Sequence, residues 1–187
     1  MYGGQLKNSG QILADEKFIE TEVAKHGTAD SAARVYANVG WSYYHRGDFK
    51  TGIKRFNQCW LLNPSEGDCY WGFGVYEGVG GRTSSAIQFL EKANELTSNN
   101  ARLVSELALA YLQLAAENEK DTTVFQSNMK KAVALLEMAA IQSPKEDKVY
   151  CIWALVEDKW GHSESVCRLI PKCKNDKNGL RSKNECN

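Results

Sequence analysis

Apolar and small residues return at three- and four-residue steps through the stretch YANVGWSYYHRGDFKTGIKRFNQCWLLNP, residues 36 to 64. Tyr36, Val39, Gly40 and Tyr43 fall on one helical face, the period an α-helix imposes. Gly47 can take the left-handed backbone that ends this helix, and Asp48 can cap the next. The second helix presents Ile53, Phe56 and Leu61, and Pro64 stops it. The small residues Gly40, Gly52 and Cys59 let the two helices approach, and the aromatic residues fill what is left. The pattern predicts a helical hairpin.

The hairpin returns. A shift of 34 places Tyr36 on Tyr70, Gly40 on Gly74 and Ala108, Phe56 on Leu90, Cys59 on Ala93 and Leu62 on Leu96. A shift of 46 carries Ala86 to Ala132, Leu90 to Leu136, Ala93 to Ala139 and Leu107 to Trp153. The 12 extra residues fit a polar insertion near ENEKDTTVFQSN, residues 117 to 128. Neighbouring units should meet through Val39, Phe56, Phe73, Leu90, Leu107, Leu136 and Trp153.

This period and these residues resemble the tetratricopeptide-repeat family, of the small bacterial type. Residues 33–66 carry most of its signature in Tyr36, Val39, Gly40, Tyr43, Gly52, Phe56, Cys59 and Pro64, with Gly52 and Cys59 where alanine is usual. A second repeat covers 67–100 and a third, interrupted, reaches 146. Residues 147–187 hold a degenerate fourth and a cysteine-containing tail. Residues 1–32 hold an N-terminal segment and a cap helix with Ile12, Ile19 and Val23 on one face. The resemblance implies an all-α solenoid of about three and a half helix-turn-helix repeats.

Composition narrows the partner. Lys plus Arg and Asp plus Glu number 23 each, so no bulk positive field is present to hold a nucleic acid. No apolar run approaches the roughly 20 residues that span a bilayer, and MYGGQLKNSG lacks an apolar signal segment. Either the protein is cytoplasmic, or this is a mature form with an added Met.

The six cysteines bear on that choice. None forms a CxxC pair and none clusters with the three histidines, so no metal site is expected. Cys59 and Cys69 flank the turn at NPSEG at nearly equal distances, which would bring them face to face in an antiparallel helix pair. The turn at Gly161 similarly pairs Cys151 with Cys173, leaving Cys167 for Cys186. Paired cysteines imply a periplasmic or secreted protein, with a lipid anchor lost along with a removed signal as its tether. Six free buried thiols would imply the cytoplasm.

Catalytic chemistry finds little support. GFGVYEGVGGR, residues 72–82, matches neither a dinucleotide nor a phosphate-loop fingerprint; its register makes Gly74 a packing glycine and Gly80-Gly81 a turn. A catalytic thiol needs exposure and a neighbouring base, and Cys59 occupies a small buried slot. No catalytic residue and no cofactor are expected.

Stacked repeats form a superhelix whose concave side is lined by the first helix of each pair, and the family holds peptides or protein segments there. The register puts Arg34, Ala37, Asn38, Trp41, Tyr44 and His45 on that side from the first repeat, and Asp68, Trp71, Gly72, Val75 and Gly78 from the second. Arg102, Ser105, Glu106, Leu109 and Gln113 follow from the third, and Lys148, Ile152 and Leu155 from the fourth. The candidate partner-binding residues are Arg34, Trp41, Tyr44, His45, Trp71, Arg102, Glu106 and Lys148. Trp41, Tyr44 and Trp71 are its candidate anchors; packing of the two tryptophans on the cap helix is the alternative. The carboxylate clamp of chaperone-binding members would sit at Ala37, Trp41, Gly72, Arg102 and Glu106, where only Arg102 is of the right kind. The expected function is a non-catalytic protein- or peptide-binding scaffold. The other reading is an immunity or inhibitor protein that blocks a toxin or secreted enzyme.

Overall fold

A computed structural model describes residues 6–98 and 100–174. Helix α1 (Ser9–His26) precedes three long pairs: α2 (Ala29–His45) with α3 (Phe49–Leu62), α4 (Gly67–Val79) with α5 (Thr83–Leu96), and α6 (Ala101–Glu117) with α7 (Thr122–Gln142). A shorter pair follows, α8 (Asp147–Trp160) with α9 (Ser163–Leu169), closed by a 3-10 turn at Ile170–Lys172. The described residues contain no strand. The protein is an all-α solenoid of helical repeats.

Local chemistry explains the punctuation. The side chains of Asn8, Thr28, Asp48, Asn100 and Asp121 each accept a backbone N–H in the first turn of the helix they precede, satisfying donors that a helix start leaves open. Gly47, Gly81 and Gly161 turn the chain between paired helices with φ of 79°, 72° and 87°, a region costly for other residues. The polar insertion becomes the tight turn after α6 and extra turns at the start of α7, the longest helix at 21 residues.

Each helix packs on its hairpin partner, and α2, α4, α6 and α8 also pack on one another in sequence. These four form the inner layer, with α3, α5, α7 and α9 outside them. Phe56, Phe73, Leu90, Leu107 and Leu136 are buried at the junctions, as their positions predict. Trp153 is only half-buried.

Val39 departs from its expected role and stands 36% exposed. Its repeat equivalents Phe73 and Leu107 are each covered by a preceding pair, whereas among the described residues α2 is preceded by the single helix α1. That helix docks through Phe18, whose ring meets Tyr36 edge-on at 5.5 Å, and leaves Val39 open. Ile12, assigned to the docking face of α1, is also exposed.

Two bridges join the chain as the hairpin geometry predicts. Cys59 and Cys69 are bonded across the α3–α4 turn with Cα atoms 5.7 Å apart. Cys151 on α8 is bonded to Cys173 with Cα atoms 4.8 Å apart. Cys167 is disulfide-bonded too; the pairing expected for it, with Cys186, lies outside the described residues.

Candidate functional site

The inner helices bring side chains from all four pairs to one cavity of about 460 Å³. Trp41, Tyr44 and His45 come from the C-terminal half of α2, and Asp68, Trp71 and Val75 from one face of α4. Arg102 and Glu106 enter from α6, Lys148 from the first turn of α8, and Glu146 from the residue capping it. Spacings of three, four and seven residues place each group on one helical face.

The aromatic wall is built around Trp41. Its ring lies 4.8 Å from Trp71 and 5.0 Å from Phe56, both edge-on, and 5.7 Å from Tyr44. His45 stacks on the same ring at 6.3 Å. The ring partners of Trp41 are therefore groove and core residues rather than α1. Contact with Phe56 also ties Trp41 to the repeat core.

Charges sit on the rim. Lys148 Nζ lies 2.9 Å from Glu106 Oε1, and Arg102 Nε lies 3.8 Å from Glu146 Oε2. Asp68 has no such counter-ion among the described residues. Burial, helped by the Glu66 carboxylate beside it, holds the Asp68 carboxyl above its ordinary range. Burial also raises the Tyr44 phenol, with the Glu106 charge adding to it.

A second chamber of about 300 Å³ adjoins the first and shares Tyr44, Val75 and Glu106 with it. Gly74 and Gly78 open this chamber toward Ala86 and Leu90 of α5, and Leu109 and Gln113 line its other side.

Seven of the eight candidate residues thus surround the first cavity, and Arg34 does not. Its Nε pairs with Glu66 Oε2 at 3.5 Å with the side chain 70% exposed. Four other residues projected onto the groove are buried instead: Ala37, Gly72, Ser105 and Ile152. Gly72 faces the Phe56 ring, and Ser105 Oγ donates to the Ala101 carbonyl within α6. Glu146 was missed, although it stands at the same helix-capping position as Glu66. A separate cavity of about 550 Å³ lies between α1 and α3, beside Phe18, Arg55 and Trp60. It depends on how α1 docks, which the repeat period does not encode. No group of three His, Cys, Asp or Glu suited to a metal occurs among the described residues, and none of their helices is long and apolar enough to cross a membrane.

No protein-family model matches the sequence, and no curated protein matches it. Solved structures do. The chain is similar to TTC0263, a thermophilic tetratricopeptide-repeat protein of Thermus thermophilus, with a TM-score of 0.68 and 16% identity over 75% of this chain and 72% of that one. It is similar to MamA from residue 41 onward of Desulfovibrio magneticus RS-1, with a TM-score of 0.58 and 16% identity over 75% of this chain and 73% of that one. Human IFIT1, solved as a dimer with PPP-AAAA, gives a TM-score of 0.64 and 15% identity over 80% of this chain and 35% of that one. This chain therefore spans about a third of IFIT1. At such identities the likeness establishes the fold alone.

Proposed function

We propose that this chain, which has the tetratricopeptide-repeat fold, holds a protein or peptide segment in its inner groove and acts by binding. The observation that carries this reading is the convergence of Trp41, Tyr44, Trp71, Arg102, Glu106 and Lys148, from four successive helix pairs, on one cavity. Large aromatic rings give contact area at low entropic cost and dominate binding where they anchor a partner. The rim favours a protein over a nucleic acid. Three carboxylates, Asp68, Glu106 and Glu146, stand against two cations, Arg102 and Lys148, and an acidic excess repels a polyanion. The bridges Cys59–Cys69 and Cys151–Cys173 support work in an oxidising compartment, periplasmic or extracellular.

The test uses peptides selected from a displayed random library on the intact protein. Binding should weaken about 30-fold or more in a Trp41→Ala, Trp71→Ala variant that keeps its helical circular dichroism, as truncation of a buried anchor does. Unchanged affinity in that folded variant would remove the groove from consideration.

A further inference from the structure

The charge ladder along the inner helices breaks at one rung. Arg34, Asp68, Arg102 and Lys148 are equivalent positions, related by shifts of 34, 34 and 46. Three of them are basic, and each has an acidic partner: Arg34 with Glu66, Arg102 with Glu146, and Lys148 with Glu106. The acids Glu66 and Glu146 occupy the position just before an inner helix. At the matching position before α6 stands Asn100, a neutral residue whose side chain caps Leu103 N–H. The second rung is thus reversed in sign and lacks a counter-charge among the described residues.

We propose that Asp68 is the receptor for one cationic side chain of the bound segment, a lysine ammonium or an arginine guanidinium, whose stem lies among Trp41, Tyr44 and Trp71. The inference rests on the groove reading above and adds the chemistry of its ligand. The other carboxylates and the two cations on the cavity are engaged within the protein, so one negative charge is left for a guest. Aromatic rings beside it suit a cation, because their faces carry negative potential and their bodies cover the alkyl stem. A cavity of about 460 Å³ accommodates such a side chain. The start of α4 favours an anion through its helix dipole, which explains why a carboxylate is tolerated there. It explains neither the missing counter-ion nor the aromatic wall. The raised Asp68 carboxyl agrees with a charge whose surroundings do not yet satisfy it.

The experiment pans a displayed random dodecapeptide library on the full chain and discards peptides that also bind the Trp41→Ala, Trp71→Ala variant. Retained peptides should share a Lys or Arg. Replacing that residue by norleucine should weaken binding about tenfold in calorimetry, the loss expected of one charge-assisted contact. Asp68→Asn should weaken the parent peptide about tenfold and leave the norleucine peptide unchanged. Asp68→Glu should retain the preference, and Glu137→Gln, exposed on α7, should have no effect. Groove-dependent peptides without a common basic residue, or an undiminished preference in folded Asp68→Asn, would overturn the cation inference and leave the groove reading standing. Retrieval of no groove-dependent peptide would overturn both.

Discussion

Gly72 and Phe56 are in contact across the first junction between repeats: a Cβ on Gly72 would stand 2.3 Å from Phe56 Cδ1. Gly40 meets the same ring from α2, where a Cβ would lie 2.8 Å from Phe56 Cε1. The ring is thus enclosed by two glycines and by Trp41. Phe56→Ala should destabilise the protein by about 3–5 kcal/mol. Gly72→Ala should cost about 1–3 kcal/mol through overpacking despite its better helix propensity. Adding Phe56→Leu to Gly72→Ala should recover part of that loss, because the two sites share one space. Denaturant titrations of Phe56→Ala, Gly72→Ala, Phe56→Leu and the double variant decide it, and strict additivity of Phe56→Leu with Gly72→Ala would mean the contact is absent.

Two other glycines of α4 should respond in opposite directions. A Cβ on Gly74 would stand 2.6 Å from Leu90 Cγ, so Gly74→Ala should destabilise by about 1–3 kcal/mol. At Gly78 the nearest atom would be Ala86 Cβ at 3.8 Å, an ordinary contact. Gly78→Ala should therefore stabilise, by up to about 1 kcal/mol, because glycine weakens a helix interior. Thermal melts of the two variants should move to opposite sides of the parent.

These glycines show what the sequence makes legible. A repeat period places Gly40 and Gly74 on packing faces because a small residue recurs where helices touch. Gly47, Gly81 and Gly161 are readable as turns because few other residues accept their φ. The 34-residue period also gathered Trp41, Tyr44, Trp71 and Glu106 into one stripe. Depth within that stripe was not readable: Gly72, Ser105 and Ile152 share it in projection and are buried. Chain ends were also opaque. The docking face of α1 depends on Phe18 meeting Tyr36, and on the buried Glu22, which pairs with Lys25 and His26 of its own helix and accepts from Tyr36 of α2; no apolar pattern announces it.

The bridges should contribute unequally. Cys59–Cys69 closes a span of 10 residues and Cys151–Cys173 one of 22. Loop closure then predicts about 2–3 kcal/mol for the first and about 3 kcal/mol or slightly more for the second. The second also fastens α8 to the segment after α9, at the last of the described pairs. Paired Cys→Ala variants, compared by denaturant titration without reductant, should rank in that order. Non-reducing peptide mapping should recover both linked peptides, and free thiols at Cys59 and Cys69 in oxidised protein would remove the first staple.

Asp68 makes the stability of the protein depend on pH in an unusual sense. Its carboxyl is raised in the folded state by burial and by Glu66, above an unfolded value of about 3.9. Between these two values the folded protein binds the proton more tightly than the unfolded chain does. Stability from this group is therefore greatest in acid and declines as pH rises through the folded value. Asp48, held down by hydrogen bonds from Thr51, acts in the opposite direction, so the parent curve alone is ambiguous. The difference between Asp68→Asn and the parent isolates the contribution of Asp68. Tyr44 and His45 of α2, Glu66 before α4, Arg102 and Glu106 of α6, Glu146 before α8 and Lys148 in its first turn surround the site in both proteins. Asp68→Asn should be the more stable protein at pH 7, and its advantage should shrink as pH falls toward 3, where the native carboxyl is protonated and resembles the amide. Denaturant titrations at several pH values measure this, and a difference that stays constant across the range would mean that Asp68 titrates alike in folded and unfolded chains.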